Sequence, residues 1–290
     1  MILLELTSPA PLAPGRLRLL EPDGSSQSAL LKQLIDGTYD KPFIEDCGPL
    51  WYLHFDLDNV QSVMRHDDPD ALCLAYTRKM MTFLLFNAEP RRILLLGLGG
   101  GSLAKFCYRH LPGAHITVLE IDPNVLALRE EFKVPPDNER FRVVQGDGVA
   151  YISGRAHRST NSQRTAREDV ILVDACDRYG LSPTLAAPEL YANLRRRLAV
   201  GGVLVMNVCG EDAEIESHIA RIRGVFGERL ISLPAKEDGN LIVMGFRTEP
   251  IEWEGAELDR RARKLEERFG LAFPRYVRQM VYGMRGAVAI

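Results

Sequence analysis

Features that would tie this chain to a membrane, to nucleic acid or to an oxidising compartment are scarce in its sequence. No apolar run is long enough to cross a bilayer, and the apolar start lacks a basic lead-in. The 36 basic and 39 acidic residues leave a net charge of -3, so no field of one sign points to a polyanionic partner. We therefore predict a cytoplasmic protein with neither a membrane nor a nucleic-acid partner.

Paired cysteines are also missing. The five cysteines are scattered, with no CxxC pair and no histidine at metal-ligand spacing. This pattern predicts reduced thiols, no disulfide framework and no metal site.

The N-terminal residues carry short β patterns separated by turn-rich stretches. We predict three strands and one short helix, near residues 2–6, 16–20, 50–55 and 30–35. Pro69 and Asp70 suit a first helical turn, and the helix is expected to run to about Phe86. Because 290 residues can bury a large core, we predict a small β-rich domain over 1–68 and a main domain over 69–290.

Strand and helix patterns alternate through the main domain, which is typical of a doubly wound α/β sheet. The strands are predicted near 92–97, 115–120, 141–146, 169–174 and 202–208, and the helices near 102–111, 123–131, 147–153, 188–198, 212–226 and 255–269. Strands 229–233 and 241–246 flank turn residues and predict an antiparallel hairpin. A mainly parallel sheet that ends in such a hairpin resembles the methyltransferase-type variant of the nucleotide-binding fold.

A glycine-rich turn follows the first predicted strand of this sheet. The apolar run 93–96 is typical of a strand buried on both faces, and Gly97, Gly99 and Gly100 would let a ligand approach the backbone closely. The next strand ends at Glu120, whose carboxylate can accept hydrogen bonds from both hydroxyls of a ribose. The pattern predicts a nucleoside site, although dehydrogenases, sulfonium-dependent transferases, non-catalytic domains and ligand-free turns share it.

Acids follow the third and fourth strands at the same predicted edge. Asp147 could accept from an adenine amino group while the Gly148 N–H contacts the ring, or it could simply cap a helix. Asp174 and Asp177 could take a proton from an attacking amine, hold a cation, or cap a loop. The polar, basic segment 155–167 is expected to be a mobile, solvated loop, with an anion-binding lid as the alternative.

Taken in order, these motifs resemble those of the polyamine aminopropyltransferases, the spermidine synthase family. Residues 58–61 resemble its Asp-Gly-x-x-Gln turn with one residue fewer, and 97–101 resemble its Gly-Gly-Gly-Asp-Gly loop. The remaining matches follow in the family's order at 119–122, 146–148, 173–177, 188–191 and 201–204. The resemblance covers roughly residues 50 to 247.

The resemblance implies a site for decarboxylated S-adenosylmethionine, or for its product methylthioadenosine, without a permanently bound cofactor. It places Gln61 and Glu120 on the ribose, Asp147 and Gly148 on the adenine, and Gly97, Gly99 and Gly100 in the donor loop. Asp174 would be the base that activates a small amine acceptor, and Tyr76 and Asp177 would bind that acceptor. The enzyme is expected to be a homodimer.

Three departures from the family pattern predict a less acidic pocket. The family's loop Asp falls on Gly100, its Tyr-His-Glu segment falls on residues 76–78 with Arg78 in place of the acid, and Arg178 replaces a proline. Each change would weaken the binding of a polycation. Three hypotheses follow: an aminopropyltransferase with a less highly charged acceptor, an S-adenosylmethionine-dependent methyltransferase, or a nucleoside-binding member without catalysis.

Overall fold

The computed structural model describes residues 3–8, 15–154, 167–177, 180–181, 188–237, 239–248 and 255–282. The strands are β1 Leu4–Thr7, β2 Arg16–Leu19, β3 Phe43–Asp46, β4 Leu50–His54, β5 Val60–Arg65, β6 Arg92–Leu96, β7 His115–Glu120, β8 Phe141–Gln145, β9 Glu168–Val173, β10 Cys176–Asp177, β11 Gly180–Leu181, β12 Leu198–Val208, β13 Leu230–Ala235, β14 Asn240–Phe246 and β15 Val281–Tyr282. The helices are α1 Gln27–Ile35, α2 Ala75–Met80, α3 Ser102–His110, α4 Pro123–Ala127, α5 Gly148–Ile152, α6 Pro188–Arg197, α7 Asp212–Phe226, α8 Ala256–Phe269 and α9 Phe273–Gln279, with a 3-10 helix at Met81–Leu85.

The N-terminal residues form an antiparallel sheet in the order β1-β2-β3-β4-β5. Its inner face buries Leu17, Leu19 and Phe43 under the α1 residues Leu30 and Leu34. This confirms the predicted β-rich N-terminal unit, although the sequence pattern missed β3 and β5. The domain boundary at residues 68 and 69 stays a prediction.

The main sheet has eight strands in the order β15-β13-β14-β12-β9-β6-β7-β8. Strands β12, β9, β6, β7 and β8 are parallel, and β14 and β13 add to β12 as the antiparallel hairpin. The methyltransferase-like doubly wound fold is therefore confirmed. Because parallel strands end at one edge, the segments that follow β6, β7, β8, β9 and β12 meet there.

The predicted long helix from Pro69 to Phe86 is wrong. The helical part begins at Ala75, changes to 3-10 geometry at Met81, and has no side-chain cap at its start. The Arg78 guanidinium donates hydrogen bonds to the carbonyl oxygens of Leu72 and Cys73, which satisfies these groups outside a helix.

Three smaller differences concern local boundaries. Helix α4 ends at Ala127, four residues earlier than expected, because the chain then enters turns. Helix α9 and strand β15 were not predicted, since each is too short to give a periodic pattern. The basic segment expected to be mobile lies outside the described residues except for Arg167.

Candidate active site

A cleft of about 1090 Å³ opens at the carboxyl edge of the main sheet. The segments that follow β6, β7, β8 and β9 line its floor, and the segment that follows β12 lines one wall. Residues 58–62, at the start of β5, line another wall. Small-molecule pockets usually measure about 300–1,000 Å³, so this volume suits a nucleoside together with a second small substrate.

The predicted site residues converge on this cleft. Its lining includes Gln61, Tyr76, Gly97, Gly99, Gly100, Glu120, Asp147, Gly148 and Asp174. The side chain of Asp177 lies outside the described part of the structure. The structure thus brings the described residues together, while their individual roles toward a ligand stay predictions.

Gly97 is fixed by a close approach between two backbones. Its φ is +98°, and a Cβ atom there would lie 2.0 Å from the carbonyl oxygen of Asp174. The Asp174 N–H also donates to the Leu96 carbonyl oxygen over 2.9 Å. Only glycine permits this packing, which sets Asp174 directly beside the start of the turn.

Glu120 stabilises the glycine turn by accepting backbone hydrogen bonds. Its Oε2 atom accepts the Leu98 N–H at 2.9 Å, and its Oε1 atom accepts the Asp122 N–H at 2.9 Å. A carboxylate has about four acceptor sites, so each oxygen keeps capacity for a ribose hydroxyl. The sequence pattern of Glu120 predicts only a ligand contact, whereas in the structure the same side chain also orders the turn.

Asp147 is a helix cap as well as a cleft residue. Its Oδ1 atom accepts the Val149 N–H at 2.8 Å at the start of α5. Its Oδ2 atom has no hydrogen-bond partner within the described ranges, and the residue lines the cleft. One carboxylate oxygen of Asp147 therefore caps the helix, and the other remains for a ligand.

Asp174 sits between two hydrogen-bond donors. Tyr76 donates its hydroxyl to Oδ2 over 3.2 Å, and Asn207 donates its Nδ2 to Oδ1 over 2.9 Å. Burial raises the pKa of Asp174, and the hydrogen bonds from Asn207 and Tyr76 oppose that rise. A partly buried carboxylate with a raised pKa and a fixed orientation has the properties of a general base.

Asn207 was not singled out from the sequence. It is a buried polar residue near the end of β12, within the apolar stretch Val203–Val208. A buried polar side chain in such a stretch needs a partner, and here the partner is the carboxylate at the end of the neighbouring strand.

Every charged residue of the described ranges that lines the cleft is an acid. The lining contains Asp40, Asp58, Glu120, Asp122, Asp147, Asp174, Glu211 and Glu214, and no Lys, Arg or His of the described ranges. The expectation of a less acidic pocket is wrong with respect to Arg78, whose guanidinium is bound to carbonyl groups outside the cleft. Arg178 lies outside the described residues.

The wall that follows β12 was also missed. Glu214 folds back over Gly210, where a Cβ atom would lie 2.6 Å from Oε2 of that carboxylate. Cys209, in the same wall, is disulfide-bonded, so the expectation of reduced thiols is wrong at this position. Cys47, Cys73 and Cys107 are free.

The described ranges show neither a metal-binding cluster nor a membrane-spanning helix. They contain no group of three or more His, Cys, Asp or Glu side chains that could hold a metal ion. None of their helices has both the length and the apolar content needed to span a bilayer.

Comparisons with known proteins place this chain in a family. A model of the spermine/spermidine synthase domain matches residues 73–227. The polyamine aminopropyltransferase of Chromobacterium violaceum is 38% identical over 240 residues, which cover 82% of this chain and 88% of that protein. A probable spermidine synthase from Corynebacterium glutamicum shares the fold, with a TM-score of 0.63 and 24% identity over 84% of this chain and 88% of that one. Human methyltransferase-like protein 13, solved in complex with SAH, has a TM-score of 0.60 and 25% identity over 68% of this chain and 92% of that one. The domain match over more than half of the sequence shows that the chain belongs to the spermine/spermidine synthase family.

Proposed function

We propose that this chain is a polyamine aminopropyltransferase that moves an aminopropyl group from decarboxylated S-adenosylmethionine to an amine and releases methylthioadenosine. The observation that carries the proposal is Asp174, partly buried and held by hydrogen bonds from Tyr76 and Asn207 in a cleft lined by acids. The chain's relatives include proteins named polyamine aminopropyltransferase.

The donor would lie along the glycine turn. Gln61 and Glu120 would contact the ribose, and Asp147 with the Gly148 N–H would contact the adenine, because these groups line one continuous cleft. The sulfonium of the donor is a cation, and a cleft whose charged lining is acidic attracts it.

The chemistry needs one proton transfer and one displacement. An ammonium acceptor loses a proton to Asp174, and the freed lone pair on nitrogen attacks the methylene carbon beside the sulfonium. The new C–N bond forms as the C–S bond breaks, and the bonding electrons return to sulfur to give the neutral thioether methylthioadenosine. Holding the two substrates in line supplies much of the rate.

The acidic lining changes the expected acceptor. Glu211 and Glu214 add carboxylates on the wall beside Asp174 and Asn207. We therefore propose an acceptor with more than one positive charge, since such an amine gains from several carboxylates at once.

The methyltransferase alternative has two observations in its favour. Gly100 leaves the turn without a side-chain carboxylate, and a methyltransferase-like protein with bound SAH has a similar fold. Intact S-adenosylmethionine would, however, bring its own carboxylate into a cleft whose charged lining is acidic.

Product analysis separates these functions. The protein is incubated with decarboxylated or intact S-adenosylmethionine and a panel of monoamines, diamines and triamines, and the products are identified by mass spectrometry. We expect aminopropylated diamines or triamines from the decarboxylated donor only. Methylated amines from the intact donor would replace this proposal with the methyltransferase, and absence of any product would favour a non-catalytic binding protein.

We further propose a cytoplasmic homodimer without a nucleic-acid partner, and a domain boundary at residues 68 and 69. The near balance of 36 basic and 39 acidic residues supports the exclusion of nucleic acid. Light scattering tests the dimer, since the expected molar mass is twice the 32.5 kDa of one chain. A mass of one chain at micromolar concentration would contradict it.

A further inference from the structure

Two hydroxyl groups stand beside the end of the glycine turn. Ser62 Oγ lies 3.1 Å from Ser102 Oγ, and both residues line the cleft. Ser62 belongs to β5 and is only 5% exposed, so its position is fixed by the N-terminal sheet. The pair therefore links strand β5 of the N-terminal sheet to the start of helix α3 within the cleft.

Ser62 also explains why residue 100 is glycine. A Cβ atom on Gly100 would lie 2.5 Å from Ser62 Oγ and 2.8 Å from Ser62 Cβ. The φ of Gly100 is not positive, so its backbone conformation would accept a side chain. Lack of space is therefore what excludes a side chain at this position. The Ser62 side chain fills the volume into which a side chain at position 100 would extend.

We propose that the Ser62–Ser102 pair binds the terminal ammonium of the donor's aminopropyl chain. This inference rests on the proposed function. After one hydrogen bond between the two hydroxyls, lone pairs remain on both oxygens, and an ammonium can donate to them. A neutral pair holds a cation less tightly than a carboxylate does, which makes it a weak but specific subsite.

The position of the pair suits the tail of a donor whose reacting carbon faces Asp174. The turn begins at Gly97, in contact with the backbone of Asp174, and reaches Ser102 five residues later. A donor lying along the turn would thus place its sulfonium near the base and extend its tail toward the hydroxyls.

The charge of the cleft favours an ammonium over a carboxylate at this subsite. The N-terminus of α3 modestly favours an anion. Against this, the charged lining residues are carboxylates throughout the described part of the cleft. The subsite would therefore select the decarboxylated donor over intact S-adenosylmethionine.

Calorimetry with three ligands tests the subsite. Methylthioadenosine shares the nucleoside of the donor and lacks the ammonium, whereas intact S-adenosylmethionine adds a carboxylate. We expect Ser62→Ala and Ser102→Ala each to lower the affinity for decarboxylated S-adenosylmethionine by about 10-fold or more and to leave the affinity for methylthioadenosine unchanged. Ser232→Ala is the matched control, because Ser232 is a buried serine on β13 outside the cleft lining.

A gain-of-affinity variant guards against a purely structural effect. Ser62→Gly removes both atoms that crowd position 100, leaving Phe132 Cδ1 at 3.0 Å as the nearest neighbour in the structure. The double variant Ser62→Gly/Gly100→Asp should then bind the decarboxylated donor about 10-fold more tightly than Ser62→Gly alone. Thermal melting establishes that both variants are folded.

The outcomes separate the subsite from the function. The subsite would be overturned if the serine variants lost equal affinity for methylthioadenosine and the decarboxylated donor, or if neither variant lost affinity. It would also be overturned if the double variant gained no affinity, or if the wild type bound intact S-adenosylmethionine more tightly than the decarboxylated donor. Failure of the wild type to bind any of the three ligands would overturn the proposed function and this inference with it.

Discussion

Lys105 gives a quantitative test of the folded structure. Its side chain is buried in α3 at 1% exposure, and its Nζ atom donates to the Phe132 carbonyl oxygen over 2.7 Å. Burial lowers the pKa of Lys105 from 10.5 to about 8, against smaller opposing effects of Asp70 and Cys73. Between these two pH values the unfolded chain binds more protons than the folded one, so the stability of the protein rises with pH.

The change to make is Lys105→Met, which keeps the apolar stem and removes the titration. Loss of the hydrogen bond to Phe132 lowers the stability of the variant by a constant amount at pH values below the pKa of Lys105. The informative quantity is therefore the change with pH in the stability difference between wild type and variant. Between pH 7 and pH 10, we expect the stability of the wild type to rise by about 2.5 kcal/mol relative to the variant.

Urea unfolding at pH 7, 8, 9 and 10 measures this difference. Lys32→Met is the matched control, because the Lys32 side chain is 75% exposed on α1. A difference between wild type and Lys105→Met that is flat with pH would show that Lys105 does not titrate in a buried position, and would refute the packing of α3 described above.

Three further predictions concern the cleft. Glu120→Ala should lower the affinity for methylthioadenosine by about 10- to 100-fold in calorimetry, and an unchanged affinity would contradict a ribose contact. Gly97→Ala should cost about 3 kcal/mol or more in urea unfolding, because its Cβ atom would lie 2.0 Å from the Asp174 carbonyl oxygen. Gly99→Ala, which has φ +51° and no neighbour within 4 Å, is its control and should cost about 1–2 kcal/mol; equal costs would contradict the close approach. Asn207→Ala removes a hydrogen bond that lowers the pKa of Asp174, so the acid limb of the pH-rate profile should move to higher pH, and an unmoved limb would contradict the contact.

The features predicted from the sequence are those set by short segments. The apolar run before Gly97 and the acid at Glu120 each follow from a local pattern of strand and turn. Their convergence follows from one rule, since parallel strands end at the same edge of the sheet. The antiparallel hairpin was predictable for the same reason, from two strands that flank turn residues.

The missed features depend on contacts between distant segments. Asn207 meets Asp174 only because β12 lies beside β9 in the sheet. Arg78 occupies the position of a family acid, but its guanidinium reaches carbonyl groups six and five residues earlier in the chain and does not line the cleft. The direction of a long side chain is set by tertiary packing, which a motif comparison does not contain.

The long helix predicted from Pro69 failed for a related reason. Apolar residues at helical spacing also suit a short helix joined to a 3-10 turn, when both are buried against a sheet. Tyr76 therefore lies in the first turn of α2, close to the cleft, and its hydroxyl donates a hydrogen bond to Asp174.

We propose Asp174 as the base of an aminopropyl transfer. The most direct test of this proposal is the rate of methylthioadenosine release from decarboxylated S-adenosylmethionine and the best amine acceptor, compared between wild type and Asp174→Asn. Asp169→Asn is the control, since Asp169 lies on β9, the strand that Asp174 follows, and accepts the N–H groups of Arg91 and Arg92 away from the cleft. We predict that Asp174→Asn lowers turnover by about two to four orders of magnitude with little change in methylthioadenosine affinity, while Asp169→Asn stays close to wild type. Undiminished turnover by Asp174→Asn would contradict the claim.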